Sequence, residues 1–134
     1  MSEANVSDVW LFGALPDDYD LTEEIIPDRE DDWTVKRYVE SLDPGDTVIL
    51  WQHGEDAGIY GLGKISDKPA APRDGVACVN IKYIKLLNRP ISKDRIVDDP
   101  TLREMLIVRM PRGKNPFPVS AEQWSALKSL LSNE

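Results

Sequence analysis

The sequence holds one cysteine, Cys78, and one histidine, His53. A single thiol excludes a disulfide framework within the chain and any zinc site built from several cysteines. A lone imidazole supplies no metal-ligand pair, and His53 reads first as a turn residue and second as a ligand contact. The lack of disulfides suits a reducing compartment, so a cytoplasmic location is expected. No apolar run approaches the ~20 residues of a membrane span, and no membrane partner is expected. The first eight residues are polar and acidic, and read as a flexible tail, not as a secretory signal or transit peptide. Phosphate-cradling loops are missing. Gly61-Leu62-Gly63 runs into Lys64-Ile65-Ser66, without the third glycine of a dinucleotide fingerprint, and there is no P-loop. No serine is marked as an activated nucleophile. The abundant N-terminal carboxylates lie in what reads as a loop, whereas a catalytic dyad needs rigid placement. No metal, no cofactor and no enzymatic activity are expected.

What is present is enough for a core. The 134 residues are 41 % hydrophobic and fit one domain, expected over residues 9–134 behind the tail of residues 1–8. The formal charge is −8, which taken whole argues against nucleic acid as a partner. The charge is unevenly placed. Residues 1–32 carry eleven acids against the single base Arg29, and the rest carries 13 acids and 15 bases. Residues 64–114 alone hold 12 bases and 6 acids. The acidic stretch is either a solvated face or an arm with its own task beside a basic body.

Along the chain, Val9-Trp10-Leu11-Phe12-Gly13-Ala14 reads as a strand. Residues 15–32 read as a long acidic loop with at most one helical turn around Leu21, Ile25 and Ile26. Val35, Val39 and Leu42 recur at helical spacing behind Trp33 and predict a short helix, stopped by Asp43-Pro44-Gly45. Residues 46–52 and 59–65 read as a hairpin, and the glycines at 61 and 63 predict a bulge or close backbone approach. Residues 67–75 form a proline-rich loop, and 76–87 a long strand. Asp99 and Pro100 open a predicted helix through Leu102 and Met105. Residues 107–110 read as a short strand. Ser120 with Gln123 forms a capping box for a last helix striped by Trp124, Leu127, Leu130 and Leu131. The order predicts an α+β fold with a curved, barrel-like sheet.

Four tryptophans fall in four different elements. Trp124 is expected in the core, Trp10 in the core or at its rim, and Trp51 as core or pocket wall. Cys78 is expected to be buried and inert. Trp33, within Asp31-Asp32-Trp33-Thr34-Val35-Lys36-Arg37, stands at a predicted loop–helix junction. There a tryptophan is either a hydrophobic anchor or one wall of a cleft that stacks a flat ligand. Lys36 and Arg37 follow it, placed to meet phosphate.

These segments resemble the EVE domain. The resemblance is carried by Asp32-Trp33-Thr34-Val35-Lys36, by Leu42-Asp43-Pro44-Gly45-Asp46-Thr47-Val48-Ile49-Leu50-Trp51, and by Gly58-Ile59-Tyr60-Gly61-Leu62-Gly63-Lys64-Ile65. It continues through Lys82-Tyr83-Ile84 and Arg89-Pro90-Ile91 to Arg112-Gly113-Lys114-Asn115-Pro116-Phe117-Pro118-Val119-Ser120 and Glu122-Gln123-Trp124. It implies a PUA-like curved β-barrel with flanking helices, related to YTH domains. It also implies a non-catalytic, prokaryotic-type reader that takes a modified DNA or RNA base, flipped from its strand, into an aromatic cage. By the family's pattern Trp33 is a cage wall and Thr34 a contact to the base edge. YTH relatives carry a second tryptophan in the loop before the long strand, but residues 67–75 contain no aromatic. Trp51, Tyr60 or Phe117 would complete a differently shaped pocket, and Asn115 would offer a donor and an acceptor. Lys36, Arg37, Arg112 and Lys114 are the expected phosphate contacts. Relatives are often fused to a nuclease or motor; this chain has no room for either, so an effector would be a separate protein. Two other classes stay open: a module for a nucleoside-like molecule or a protein partner, and a nucleotide hydrolase. The acidic stretch is expected near the pocket mouth, where Asp28, Glu30, Asp31 and Asp32 would suppress unselective binding.

Overall fold

A computed structural model describes residues 8–69 and 76–132. The tail of residues 1–7 and most of the loop 67–75 therefore lie outside the described residues. Six strands form one sheet: β1 (Val9–Ala14), β2 (Glu30–Val35), β3 (Thr47–Gln52), β4 (Gly58–Ile65), β5 (Ala77–Ser92) and β6 (Phe117–Pro118). Their spatial order is β2-β5-β4-β3-β1-β6. β1 runs parallel to β3, and the other pairs are antiparallel. Helices α1 (Leu21–Glu24), α2 (Lys93–Asp98), α3 (Leu106–Arg109) and α4 (Ala121–Leu131) flank the sheet. The α+β class and the curled, barrel-like sheet are as the sequence predicts.

β1 and β3 are buried on both faces, which explains their unbroken apolar runs, whereas β2 and β5 expose one face. Alternation sends Trp10, Phe12, Val48 and Leu50 to the concave side, where they meet Leu21, Ile25, Trp33, Ile81 and Tyr83. It sends Val9, Leu11, Ile49 and Trp51 to the convex side, under Ile96, Leu102, Met105, Ile107 and Leu127 of the helical segments. Such two-faced strands read as continuous hydrophobic stretches instead of alternating ones.

The glycines of β4 act as expected. Register slips twice in the β4–β5 pairing, between Ile59 and Gly61 and between Leu62 and Gly63. A Cβ on Gly61 would lie 2.6 Å from Ile25 Cδ1 and 2.7 Å from the Lys85 carbonyl. The bare backbone thus lets α1 settle on the curled sheet, beneath the strand that bends there.

Several local expectations are corrected. No helix follows Trp33: residues 30–35 are strand β2, and only a 3₁₀ turn, Val39–Ser41, comes after it. Trp33 and Val35 point inward with period two and pair with Val79 and Ala77 of β5, so pairing overrides the helical spacing of Val35, Val39 and Leu42. Tyr38, at φ +59°, breaks the chain direction between them. The acidic stretch is therefore not one loop, since it contains α1 and half of β2. β5 extends through Pro90 to Ser92, and Ser92, not Asp99, caps the next helix. The Asp99 carboxylate accepts from the Thr101 and Leu102 N–H groups and so caps a 3₁₀ turn. Residues 107–110 are no strand: Leu106–Arg109 is the helical turn α3, because the outer edge of β1 is already taken by β6. The capping box of Ser120 and Gln123 is formed. Trp124 is only half-buried, with Lys128 over its ring, and Cys78 is half-buried too.

Replacing Gly61 by alanine forces a methyl group into occupied backbone space. Urea unfolding should show a loss of about 1–3 kcal/mol with an unchanged denaturant slope.

Candidate nucleic-acid interface at the sheet seam

β2 and β6 are the two ends of the sheet, and they do not pair with each other. Asn115, just before β6, links them. Its carbonyl accepts from the Lys36 N–H at 3.0 Å. Its side chain holds β1 twice: Oδ1 accepts from the Gly13 N–H at 2.8 Å and Nδ2 donates to the Gly13 carbonyl at 2.9 Å. This amide is expected from the sequence to offer a donor and an acceptor to a base; one N–H and one lone pair are engaged with Gly13, and Asn115 lines the cleft beside them.

A cleft of about 420 Å³ lies along this seam. Gly13, Ala14 and Leu15 form one side, and Asp32, Trp33, Thr34 and Lys36 the other. Asp18 and Tyr19 border it, as do His53 and the segment 113–115. Backbone geometry makes the β2 side chemically active. Tyr83 of β5 exchanges hydrogen bonds with Asp28 and Arg29, and Lys36 donates across the seam. In a strand, the polar groups of successive residues point to opposite edges. Asp31, Trp33 and Val35 therefore bond to β5, while Asp32 and Thr34 turn their N–H and C=O groups to the seam. Thr34 thus presents a backbone donor, a backbone acceptor and an exposed hydroxyl beside the tryptophan.

Trp33 is both core and wall. Only 8 % of it is exposed, yet it lines the cleft. Its ring meets Phe12 and Tyr19 edge-on, with centroids 5.9 and 5.2 Å away. Its Nε1–H donates to the Tyr83 hydroxyl at 2.9 Å. That hydroxyl also hydrogen-bonds Tyr19, which in turn donates to Asp31. Arg29 completes the set, 3.3 Å from Asp31 and 2.6 Å from Glu24. Burial raises the pKa of both phenols, with the Asp31 hydrogen bond adding to the effect on Tyr19. Both stay protonated and keep donating. Asp31 is thus a structural acceptor, while Asp18 and Asp32 line the cleft, the Asp32 Oδ1 also accepting from Asn80 Nδ2 at 3.1 Å.

The four expected phosphate contacts come together from two distant segments. Lys36 and Lys114 line the cleft. The Arg37 Nε donates to the Lys114 carbonyl at 3.1 Å, and its guanidinium lies 5.5 Å from the ring centroids of Tyr38 and Phe117. Arg112 is exposed beside them, in a shallow depression with Met110 and Pro111. The rim is thus basic at one end, and acidic at the other through Asp18 and Asp32.

Three expected pocket residues lie elsewhere. Trp51 and Phe117 are buried in the convex core. Tyr60 sits under the turn after β3, where its hydroxyl donates to the Asp56 carbonyl and accepts from Gln52. Sequence reading missed Gly13, Leu15 and Tyr19, and favoured a turn for His53 over a ligand contact. The signal at hand was Gly13 inside an apolar strand, a mark of close approach. Among the described residues, no group of three or more histidine, cysteine or acidic side chains is placed to hold a metal, and no helix is long and apolar enough to cross a membrane.

Asn115→Ala removes both side-chain bonds to Gly13. We expect a loss of about 1–3 kcal/mol in stability. Native-state hydrogen exchange should quicken at Gly13 and Lys36 well beyond the change at the β3–β4 amides.

The sequence profile of the EVE domain matches residues 8–130. No match was found among curated proteins. Similar folds occur in several solved structures. Rpa0253 from Rhodopseudomonas palustris is 22 % identical, with 88 % of each chain covered and a TM-score of 0.74. A hypothetical protein from Leishmania major is 16 % identical, with 97 % of this chain and 98 % of that one covered and a TM-score of 0.75. Human THYN1, solved in complex with 5-methylcytosine-containing DNA, is 16 % identical, with 91 % and 96 % covered and a TM-score of 0.72. With nearly its whole length matched by the family profile, and with a curled sheet of the PUA-like kind, this chain belongs to the EVE domain family.

Proposed function

We propose that this chain is a non-catalytic module that takes a modified nucleobase of DNA or RNA into the seam cleft. The observation that carries the reading is the conjunction at β2: a tryptophan wall, a free strand edge at Thr34 and two cationic side chains at one end. Each part meets one need of base recognition. An aromatic face stacks any base, at about 1–3 kcal/mol. The Thr34 backbone pairs with a base edge, and Lys36 and Lys114 meet the flanking phosphates. A base-borne methyl group adds apolar area against Trp33, Leu15 and Ala14. The structure of THYN1 with methylated DNA is in line with this use of the fold.

The net charge of −8 does not oppose the reading, because phosphate affinity depends on local cations. The expected role of the acidic stretch narrows to Asp18 and Asp32. Asp28 instead pairs with Lys82, Glu30 lies near Ser66, and Asp31 holds the phenols. A second reading, a free nucleoside or similar planar metabolite, draws on the same acidic rim, which disfavours a long phosphate backbone. Thermal shift with nucleosides separates the two, since a saturating ligand raises the midpoint.

Direct titration tests the proposal, using oligonucleotides with 5-methylcytosine, 5-hydroxymethylcytosine or N6-methyladenine beside unmodified controls. One modified strand should bind more tightly than its control. Lys36→Ala with Lys114→Ala should weaken all strands alike and flatten the salt dependence. Asp18→Asn with Asp32→Asn should raise binding to unmodified strands. Equal, weak binding throughout, indifferent to these changes, would contradict it.

A further inference from the structure

His53 is the side chain of the cleft that neither the fold nor the stacking of a base uses. The backbone fixes its position. A Cβ on Gly13 would lie 2.4 Å from His53 Nε2, so the imidazole rests directly on bare β1 backbone. The His53 N–H donates to the Ala14 carbonyl at 2.9 Å, which continues the β1–β3 pairing past the strand ends. Gly54 follows at φ +102° and turns the chain away at once. Because β1 lies between β3 and the seam, His53 and Trp33 stand on opposite sides of Gly13.

The ring is half-buried, yet among the described residues its nitrogens have no hydrogen-bond partner. Asn115 already serves the Gly13 N–H and C=O. Burial lowers the pKa of His53, which keeps the ring uncharged at neutral pH, with one nitrogen a donor and the other an acceptor. The titratable groups that share the cleft are Asp18, Tyr19, Asp32, Lys36 and Lys114. They bring two carboxylates and two ammonium groups, so neither sign prevails around the imidazole.

Stacking on Trp33 tolerates every base. Selection needs a polar group that is left unmet by the wrong ligand. We propose that His53 is a specificity-determining residue of the cleft: its ring hydrogen-bonds a polar edge of the bound base and selects among bases that Trp33 stacks alike. This rests on the reading of the cleft as a base pocket.

The chain has one histidine, so long-range ¹H–¹⁵N spectra report a single imidazole. The full chain is titrated with a 5-methylcytosine oligonucleotide, its unmodified control and strands bearing other bases. Affinities are measured in parallel for His53→Ala, His53→Gln and Lys36→Ala. Both imidazole nitrogen resonances should move on saturation with the preferred strand. His53→Ala should cut the preference between bases about tenfold, the worth of one well-placed hydrogen bond. His53→Gln, which keeps a donor and an acceptor, should restore part of it. Suppose the wild-type chain binds selectively and Lys36→Ala weakens it. Unmoved imidazole resonances and an unchanged preference in His53→Ala would then overturn the role of His53 and leave the base pocket standing. Absence of binding by the wild-type chain would overturn both.

Discussion

A curled sheet whose end strands do not pair must satisfy two rows of backbone groups by other means, and here one asparagine makes the link. Asn115 gives its carbonyl to Lys36 on the β2 side and its amide to Gly13 on the β1 side. The seam is thus fastened at Asn115, with Arg37 donating to the Lys114 carbonyl next to it, and open toward Thr34. Where it is open, Thr34 keeps a free backbone edge, and the cleft forms. Closing the sheet with another full strand pair would have used those groups and left no recognition edge. The site is therefore a consequence of how the barrel fails to close.

The same economy explains the acidic segment. Most of its charge is not gathered at the cleft. Asp31 accepts from the phenols that position Trp33, Glu24 and Arg29 brace it, and Asp28 pairs with Lys82. A tryptophan so held keeps its ring still when a ligand arrives, and the ordering cost is met during folding. Among the described residues of the segment, Asp18 and Asp32 are the acids that line the cleft, which Lys36 and Lys114 line as well.

Much of the fold was legible in the sequence because its signals were local. The β3–β4 hairpin, the bulge-forming glycines and the capping box at Ser120 depend on neighbours within a few residues. Failures came where a distant strand decided. Asp31, Trp33 and Val35 alternate with period two, but the helical spacing of Val35, Val39 and Leu42 masks it until β5 is known to lie alongside. Ile107 and Val108 have strand-forming side chains, yet they lie in the helical turn α3 while β6 takes the edge of β1. Trp33, Thr34, Lys36 and Lys114, which a family pattern and adjacent charges mark, all line the cleft. The sequence could not show that Asn115 bonds to Gly13, since that contact spans 102 positions. Trp51 and Phe117 fell into the convex core because strand parity, not residue type, sets which face an aromatic takes. His53 was hidden for the same reason, as only the parallel β1–β3 pairing brings it over Gly13.

The central claim is that the ligand enters at the open seam. Amide and indole chemical-shift mapping during titration with a 5-methylcytosine oligonucleotide tests it most directly. The account predicts that shifts concentrate at Gly13, Thr34, Lys36 and the Trp33 Nε1–H. Shifts confined to the outer face around Lys64 and Lys82, with the seam resonances unmoved, would contradict it.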